Sequence, residues 1–245
     1  MEPTVSQSVR EETREDEIAR GLSVPAWSAI IAFIVGGSLF HVWLHHRVHG
    51  VFNATQIALA FFLVVNLLVN YWELGLFFCT DQIRDEYEAS KESYRGREFQ
   101  RFGEIFQKRI PVSQLLSFRQ WTGIWSGYAL FDPGYASRSS FGYNADVGNG
   151  WSTPILATLF AFGMTFELMP ARILGILGVI MFWQMFYGTV VYFFQFFHAG
   201  RHKGHSPAAV ALFVGNSNSL WFIFPLLGLY TSVWMILNDS YTIFG

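Results

Sequence analysis

Apolar runs long enough to cross a bilayer constrain this chain more than anything else in it. A spanning helix needs about 20 largely apolar residues. Four or five stretches qualify: Pro25 to Leu44, Ala54 to Cys79, Trp151 to Met169, Arg172 to Phe197, and Ala211 to Leu237. Composition agrees, with 52% hydrophobic and only 14% charged residues, against roughly 25% charged in ordinary soluble domains. Twenty-six Phe, ten Tyr and nine Trp exceed what a soluble core of this size can bury. The expected class is an all-α integral membrane protein, with five transmembrane helices in a bundle and a long polar loop between spans two and three.

The chain divides accordingly. Residues 1–24 form a polar, acidic tail, unlike the short basic leader of a signal peptide. No small-x-small cleavage site follows the first apolar run, so that run is expected to stay as a helix. Residues 25–79 hold spans one and two, 80–150 a polar and interfacial loop, and 151–245 spans three to five. Within the loop, "TDQIRDEYEASKESYRGREFQRFGEIFQKR" mixes both signs at helical spacing and reads as a headgroup-level helix. The stretch Leu115 to Phe131 has the aromatic richness of an interfacial segment, and "FDPGYASRSSFGYNADVGNG" reads as a turn-rich loop. A net charge of −2 argues against a nucleic-acid partner. The single cysteine, Cys79, excludes an internal disulfide.

Charge separates five spans from six. With five, the tail, the long loop and the loop after span four share one face and carry 3, 9 and 2 basic residues, leaving Arg47 and Arg172 opposite. A sixth span at Leu115 to Phe131 would move Arg138, Arg201 and Lys203 to the outer face. The positive-inside rule favours five, with the amino terminus cytoplasmic.

Polar groups inside spans mark cavities more often than not when they ionise. Glu73 lies roughly 9 Å from the inner end of span two, and Asn66 and Asn70 share its face. A hydrogen-bond stripe accounts for asparagines alone; a carboxylate at that depth points to a cavity. Asn218 and Trp221 lie roughly 12 and 16 Å deep in span five, Gln184 and Tyr187 about 16–21 Å deep in span four, and Tyr192 about 9 Å deep. Asp146 sits at the inner boundary before span three, where a capping or loop role is as good a reading as a site role. Groups from four helices thus reach similar depths, which a polar pocket with aromatic walls explains better than independent stripes. Asn216 points elsewhere and reads as a packing amide.

The seven histidines fall into two clusters, "HVWLHHRVH" and "HAGRHKGH". Their spacings are similar to those of membrane di-iron hydroxylases and desaturases. Five spans place the clusters on opposite faces, and no third box is present, so a di-iron hydroxylase or desaturase stays as the third reading, revived only by six spans.

The stretches "WQMFYGTVVYFFQFFHAGRHKGH" and "NSLWFIFPLLGLY" resemble the emopamil-binding protein family, the EXPERA domain, which includes sterol Δ8-Δ7 isomerase and the sigma-2 receptor. Gln184, Tyr187-Gly188 and Asn218-x-x-Trp221-x3-Pro225 carry the likeness, with "NYWELGLFF" and "GYASRSSFGYNADV" similar to the family's second span and the stretch before its third. The resemblance implies a membrane isomerase that shifts a C=C bond of a sterol-like or isoprenoid lipid by adding and removing a proton through a carbocation. It implies Glu73 and Asp146 as catalytic carboxylates and Trp221 as the cation-stabilising wall. Asn70, Gln184, Tyr187, Tyr192 and Asn218 are the expected substrate-binding residues. Val69 stands where the isomerase has a histidine, so Asp146, Tyr187 or His198 would supply the second proton step, or the protein binds lipid without turning it over. No metal or organic cofactor is expected. The partners expected are a hydrophobic lipid and, as a homodimer, a second copy of the chain. The bacterial inner membrane is favoured, with the endoplasmic reticulum as the alternative. A reporter fused at Gly245 is expected on the opposite face from one at Met1; finding both on one face would restore six spans.

Overall fold

Each long helix starts where its first amide groups are satisfied or dispensed with. The computed structural model describes residues 21–245, so the expected polar tail lies outside the described residues except for its last four. A short strand β1 (Ser23–Pro25) pairs antiparallel with β2 (Arg109–Pro111). Helix α1 (Ala26–His49) then begins with the Ala26 amide donating to the Lys108 carbonyl at 2.8 Å. Helix α2 (Ala54–Phe78) is capped by the Asn53 side chain, which accepts from the Gln56 amide.

The segment expected to be a long polar loop is folded. It holds α3 (Thr80–Ser90), α4 (Glu98–Gln107), α5 (Thr122–Tyr128) and α6 (Gly134–Ser137). The interfacial stretch Leu115 to Phe131 does not cross the bundle: it is a 3-10 turn at Phe118–Gln120 followed by the seven residues of α5. Arg119 and Gln120 leave too short an apolar run for anything longer.

Helix α7 (Phe141–Phe166) starts ten residues before the expected third span. Ser140 accepts from the Tyr143 amide and sets that start, so Asp146 lies inside a helix rather than in a loop. Of the glycines that suggested turns, Gly142 and Gly150 serve close packing, whereas a Cβ at Gly148 would meet nothing within 4 Å. Helix α8 (Ala171–His198) follows Pro170, and α9 (Pro207–Asn238) follows the Ser206 cap. Its residues Val210–Asn216 form a π-helical turn, which nothing in the apolar pattern signalled.

Four helices, α1, α2, α8 and α9, are long and apolar enough to cross a membrane. The architecture is that of an all-α, multi-pass membrane protein. Helix α7 packs along α2 and α8 and carries its polar residues in its first half. Large apolar side chains face outward, among them Trp27, Phe33, Phe194 and Leu237, as a lipid-facing surface requires. Inside, Phe62, Phe160, Met181, Phe182 and Met235 form one cluster between α2, α7, α8 and α9. A second cluster, built around Leu76, Trp125, Phe131, Tyr135 and Phe196, fastens α3–α6 over one end of the bundle as a cap.

The two ends differ in what closes them. At the far end from the cap, His45 bonds Thr165 and the Phe244 carbonyl, His49 bonds the Thr165 carbonyl, and the Asp239 carboxylate accepts from the Arg172 amide. At the cap end, the buried Asp132 carboxylate pairs with Arg201 and accepts from the Gly134 amide, while His205 meets Glu98 at 2.8 Å. The histidine clusters therefore stand at opposite ends of α8, roughly 40 Å apart by its length. No single metal centre can draw on both.

Tight contact between α8 and α9 rests on glycine. A Cβ at Gly175 would stand 2.6 Å from the Ser232 carbonyl oxygen, and one at Gly228 would meet the Phe182 ring at 2.5 Å. Gly175→Leu is expected to destabilise the protein by about 1–3 kcal/mol through overpacking. Gly36→Leu, where a Cβ meets nothing within 4 Å, is the matched control. Thermal unfolding in one detergent compares them, and equal midpoints would mean that this glycine contact does not hold the helices together.

Candidate functional site

Helix α2 places Asn66, Asn70 and Glu73 on one buried face, at intervals of four and three residues. They form a chain of hydrogen bonds with one direction. The Trp221 indole Nε1 donates to Asn66 Oδ1 at 2.9 Å, Asn66 Nδ2 donates to Asn70 Oδ1 at 2.8 Å, and Asn70 Nδ2 donates to Glu73 Oε2 at 2.6 Å. Thr153 of α7 adds a second donor to Asn70 Oδ1 at 3.0 Å. Each unpaired amide in hydrocarbon would cost several kcal/mol; paired in series, the side-chain oxygen of each asparagine has a donor and its nitrogen an acceptor. The chain ends on its one ionisable group, the Glu73 carboxyl.

Helix α7 comes close enough to supply Thr153 because Gly150 faces Glu73. A Cβ at Gly150 would lie 2.9 Å from the Glu73 Cβ and 3.1 Å from the Leu74 amide nitrogen. One turn earlier on α7, Asp146 accepts from the Tyr135 hydroxyl of α6 at 2.6 Å. Gly142 makes room for that contact, since a Cβ there would meet the Tyr135 hydroxyl at 2.7 Å and the Tyr192 ring at 2.9 Å.

Between these two carboxylates lies a cavity of about 160 Å³, whose lining includes Glu73, Asp146, Tyr128, Tyr192, Asn218 and Trp221. Trp72, Trp125 and Tyr135 extend its aromatic wall, and Trp125 stacks on Tyr135 with ring centres 5.4 Å apart. Burial first, then the neighbouring Asp146 carboxylate, hold the Tyr135 hydroxyl well above its ordinary pKa. Burial likewise raises Tyr128, against the pull of its hydrogen bonds with Tyr192 and Asn218. Both phenols therefore stay protonated, and Tyr135 acts on Asp146 as a hydrogen-bond donor.

Of the residues singled out from sequence, Glu73, Asp146, Tyr192, Asn218 and Trp221 line this cavity. The other three occupy different places. Asn70 stands behind Glu73 and orients it. Gln184 donates to Asn149 and Ser152, both at 2.8 Å, and ties α8 to α7. Tyr187 is 54% exposed on the outer face and stacks on Trp183. The reason is helical phase: the α8 residues that line the cavity are Met185, Gly188, Thr189 and Tyr192, a face from which Tyr187 is turned by well over 90°. His198 is exposed at the end of α8, so Asp146 alone of the three groups considered for a second proton step lines the cavity. Val69 lines it too.

Asn218 has its own task. Its Nδ2 donates to the Val214 carbonyl at 2.8 Å and to the Tyr128 hydroxyl at 2.9 Å, and Tyr128 meets the Tyr192 hydroxyl at 2.8 Å. The π-helical turn before Asn218 displaces the backbone register; the Ser217 hydroxyl bonds back to the Phe213 carbonyl, and Asn218 adds a second donor to the Val214 carbonyl, which also accepts from the Ser217 amide. Pro225, without an amide hydrogen, leaves the Trp221 carbonyl without its helical partner. Asn216 is exposed and takes no part in the cavity.

Sequence reasoning missed Tyr128, Tyr135, Trp125 and Thr153. The first three come from the segment read as loop or interface, and only tertiary docking brings them to the spans. Compared with protein-family models and with curated proteins, the chain gives no match.

Asn218→Ala is expected to cost about 1–3 kcal/mol, because it removes two hydrogen bonds, to the Val214 carbonyl and to the Tyr128 hydroxyl, each worth about 0.5–1.5 kcal/mol. Hydrogen exchange in α5 should rise with it. Unchanged protection of α5 would show that Asn218 does not hold the cap.

Proposed function

We propose that the protein is a membrane isomerase of the EXPERA type, moving a C=C bond of an isoprenoid or sterol-like lipid by proton addition and removal. The observation that carries this reading is one aromatic-walled cavity lined by two carboxyl groups and an indole. Cation chemistry needs an acid, a base and an electron-rich wall that excludes water.

In this scheme the protonated Glu73 carboxyl delivers its proton to one alkene carbon, and the π electrons form the new C–H bond. The adjacent carbon becomes cationic and lies against the Trp221 face. The Asp146 carboxylate takes a proton from the neighbouring carbon, whose C–H electrons form the shifted double bond. Glu73 is left ionised and Asp146 protonated, so a proton must pass back before the next turnover. The fixed hydrogen bonds from Asn70 and Tyr135 support this division, because each holds one carboxyl oxygen and leaves the rest of the group to act.

The cavity volume narrows the substrate. About 160 Å³ is below the range of roughly 300–1,000 Å³ for sites that enclose a drug-sized ligand. A slim isoprenoid chain enters with less rearrangement than a fused ring system. On this reading α7 is a fifth crossing and the cap, which holds half of the chain's Lys and Arg residues, faces the cytoplasm, in a bacterial inner membrane.

A second reading, lipid binding without turnover, draws support from Val69, an apolar wall residue where the resembled isomerases carry a histidine. Mutation separates the two. Glu73→Gln keeps the Asn70 hydrogen bond and the shape of the site while removing the acid, so turnover should fall by about 10²–10⁴-fold with little change in affinity for a neutral lipid. Trp221→Leu should likewise lower turnover more than neutral-ligand affinity, and should weaken an ammonium analogue by about 0.5–2 kcal/mol. Loss of neutral-ligand affinity in both variants, with no conversion of isoprenoid or sterol probes by the wild type, would make the cavity a receptor site.

A further inference from the structure

A second recess lies on the other side of α5, where the cap meets the start of α1. Its lining includes Arg101 and Lys108 together with Glu86 and Glu104, and it measures about 250 Å³. Opposite charges in one recess normally pair. Here no cation of this set forms an ion pair with either carboxylate among the described residues. Arg101 makes one hydrogen bond, to Ser126 Oγ at 3.3 Å, and its Nε is buried without a protein partner. Lys108 donates to the Gln120 carbonyl at 3.2 Å. Glu86 accepts from Gln82, Thr122 and Ser126, and Glu104 from Tyr94 and Gln100. A carboxylate has about four acceptor positions, so both keep capacity.

Ile30 and Trp121 line this recess and also the next one, a groove of about 300 Å³ with almost wholly apolar walls. That groove runs along α1 and α2 past Ala29, Phe33, Leu68 and Leu116. Phe33 lies seven residues into α1, or roughly 10 Å below its start. Tyr71 lines the groove as well, with its hydroxyl buried and lacking a protein partner. A charged recess at the head of a spanning helix thus adjoins a greasy groove along that helix, across the shared Ile30 and Trp121, with one spare polar handle on the groove wall.

We propose that this is a binding site for one phospholipid with an amine in its headgroup. The phosphate lies between Arg101 and Lys108, the ammonium against Glu104 and Glu86, the Tyr71 hydroxyl reaches an ester oxygen, and an acyl chain fills the groove. The zwitterion matches the unpaired charges in sign and number of poles, which an anionic headgroup does not. Ile124 lines both this recess and the cavity of Glu73 and Trp221 and stands between them; no charged residue is common to the two.

The test uses the full chain in detergent micelles supplied with phosphatidylethanolamine or phosphatidylglycerol of the same acyl composition, with retained lipid counted by native mass spectrometry. Wild type should retain one phosphatidylethanolamine in preference to phosphatidylglycerol. Arg101→Gln combined with Lys108→Gln should lower retention of both lipids about tenfold or more, the scale of charge-assisted hydrogen bonds. Glu104→Gln, at an exposed position, should reduce the preference for the amine lipid alone. Ala29→Trp should block the groove without touching the charges and lower retention of both. Equal retention of the two lipids by wild type would overturn the proposal, as would retention unchanged in the double variant or in Ala29→Trp.

Discussion

A carboxyl group set among hydrocarbon-facing helices has to be provided for by the protein itself, because no solvent reaches it there. Glu73 meets that demand with a chain of amides instead of a counter-cation. Asn70 faces it, Asn66 faces Asn70, and the Trp221 indole starts the series. Since each link uses a donor on one side and an acceptor on the other, removing any link leaves a buried group unpaired. That dependence ties the azimuth of α9 to that of α2. Thr153 does the same for α7, and Gly150 is the residue whose missing side chain allows α7 to come that near. The positions of three long helices therefore follow from satisfying one acidic group.

Asp146 is supported in a different way. Its partner Tyr135 belongs to the cap, so the second carboxyl keeps its orientation only while the cap is docked. Docking rests on the Trp125–Tyr135 stack, the Trp125 indole donating to the Trp72 carbonyl at 2.7 Å, and the buried Asp132–Arg201 pair. A buried ion pair contributes little net stability over an apolar replacement, yet breaking it on one side is strongly unfavourable. Its use here is to specify where the α8–α9 connection sits against α6. The Asn218–Tyr128–Tyr192 bonds add a link from α9 through the cap to α8.

The sequence made the membrane class and the four most apolar helices plain, since bilayer thickness converts directly into run length. It also placed Asn66, Asn70 and Glu73 on one face, because α-helical phase is legible without any tertiary knowledge. The same rule applied to α8 would have removed Tyr187: from Tyr192, position 188 is four back and nearly in phase, whereas 187 is five back and well off the face. What could not be read was Asp146 as a helical residue, since the glycines and asparagines around it are as suited to a turn as to a close helix contact. Tyr128 and Tyr135 were hidden for a deeper reason. Their role arises from how the cap docks, and local periodicity holds no information about that.

The π-helical turn links these observations. One inserted residue in α9 changes the phase of everything on its capped side relative to everything beyond it. Trp221 belongs to the regular part and reaches Asn66 on α2, whereas Val214 belongs to the turn and is buried against the cap. An uninterrupted α-helix repeats its faces about every 3.6 residues, so positions seven apart share a face. Here Val214 and Trp221, seven apart, serve two different clusters. The displaced register lets one helix bind both the spans and the cap. Asn218 lies just beyond the slip, where its amide can bond back to the Val214 carbonyl and still reach Tyr128. An amide in that place answers to the backbone first and to the cavity second, and this is the physical reason an otherwise apolar helix tolerates it.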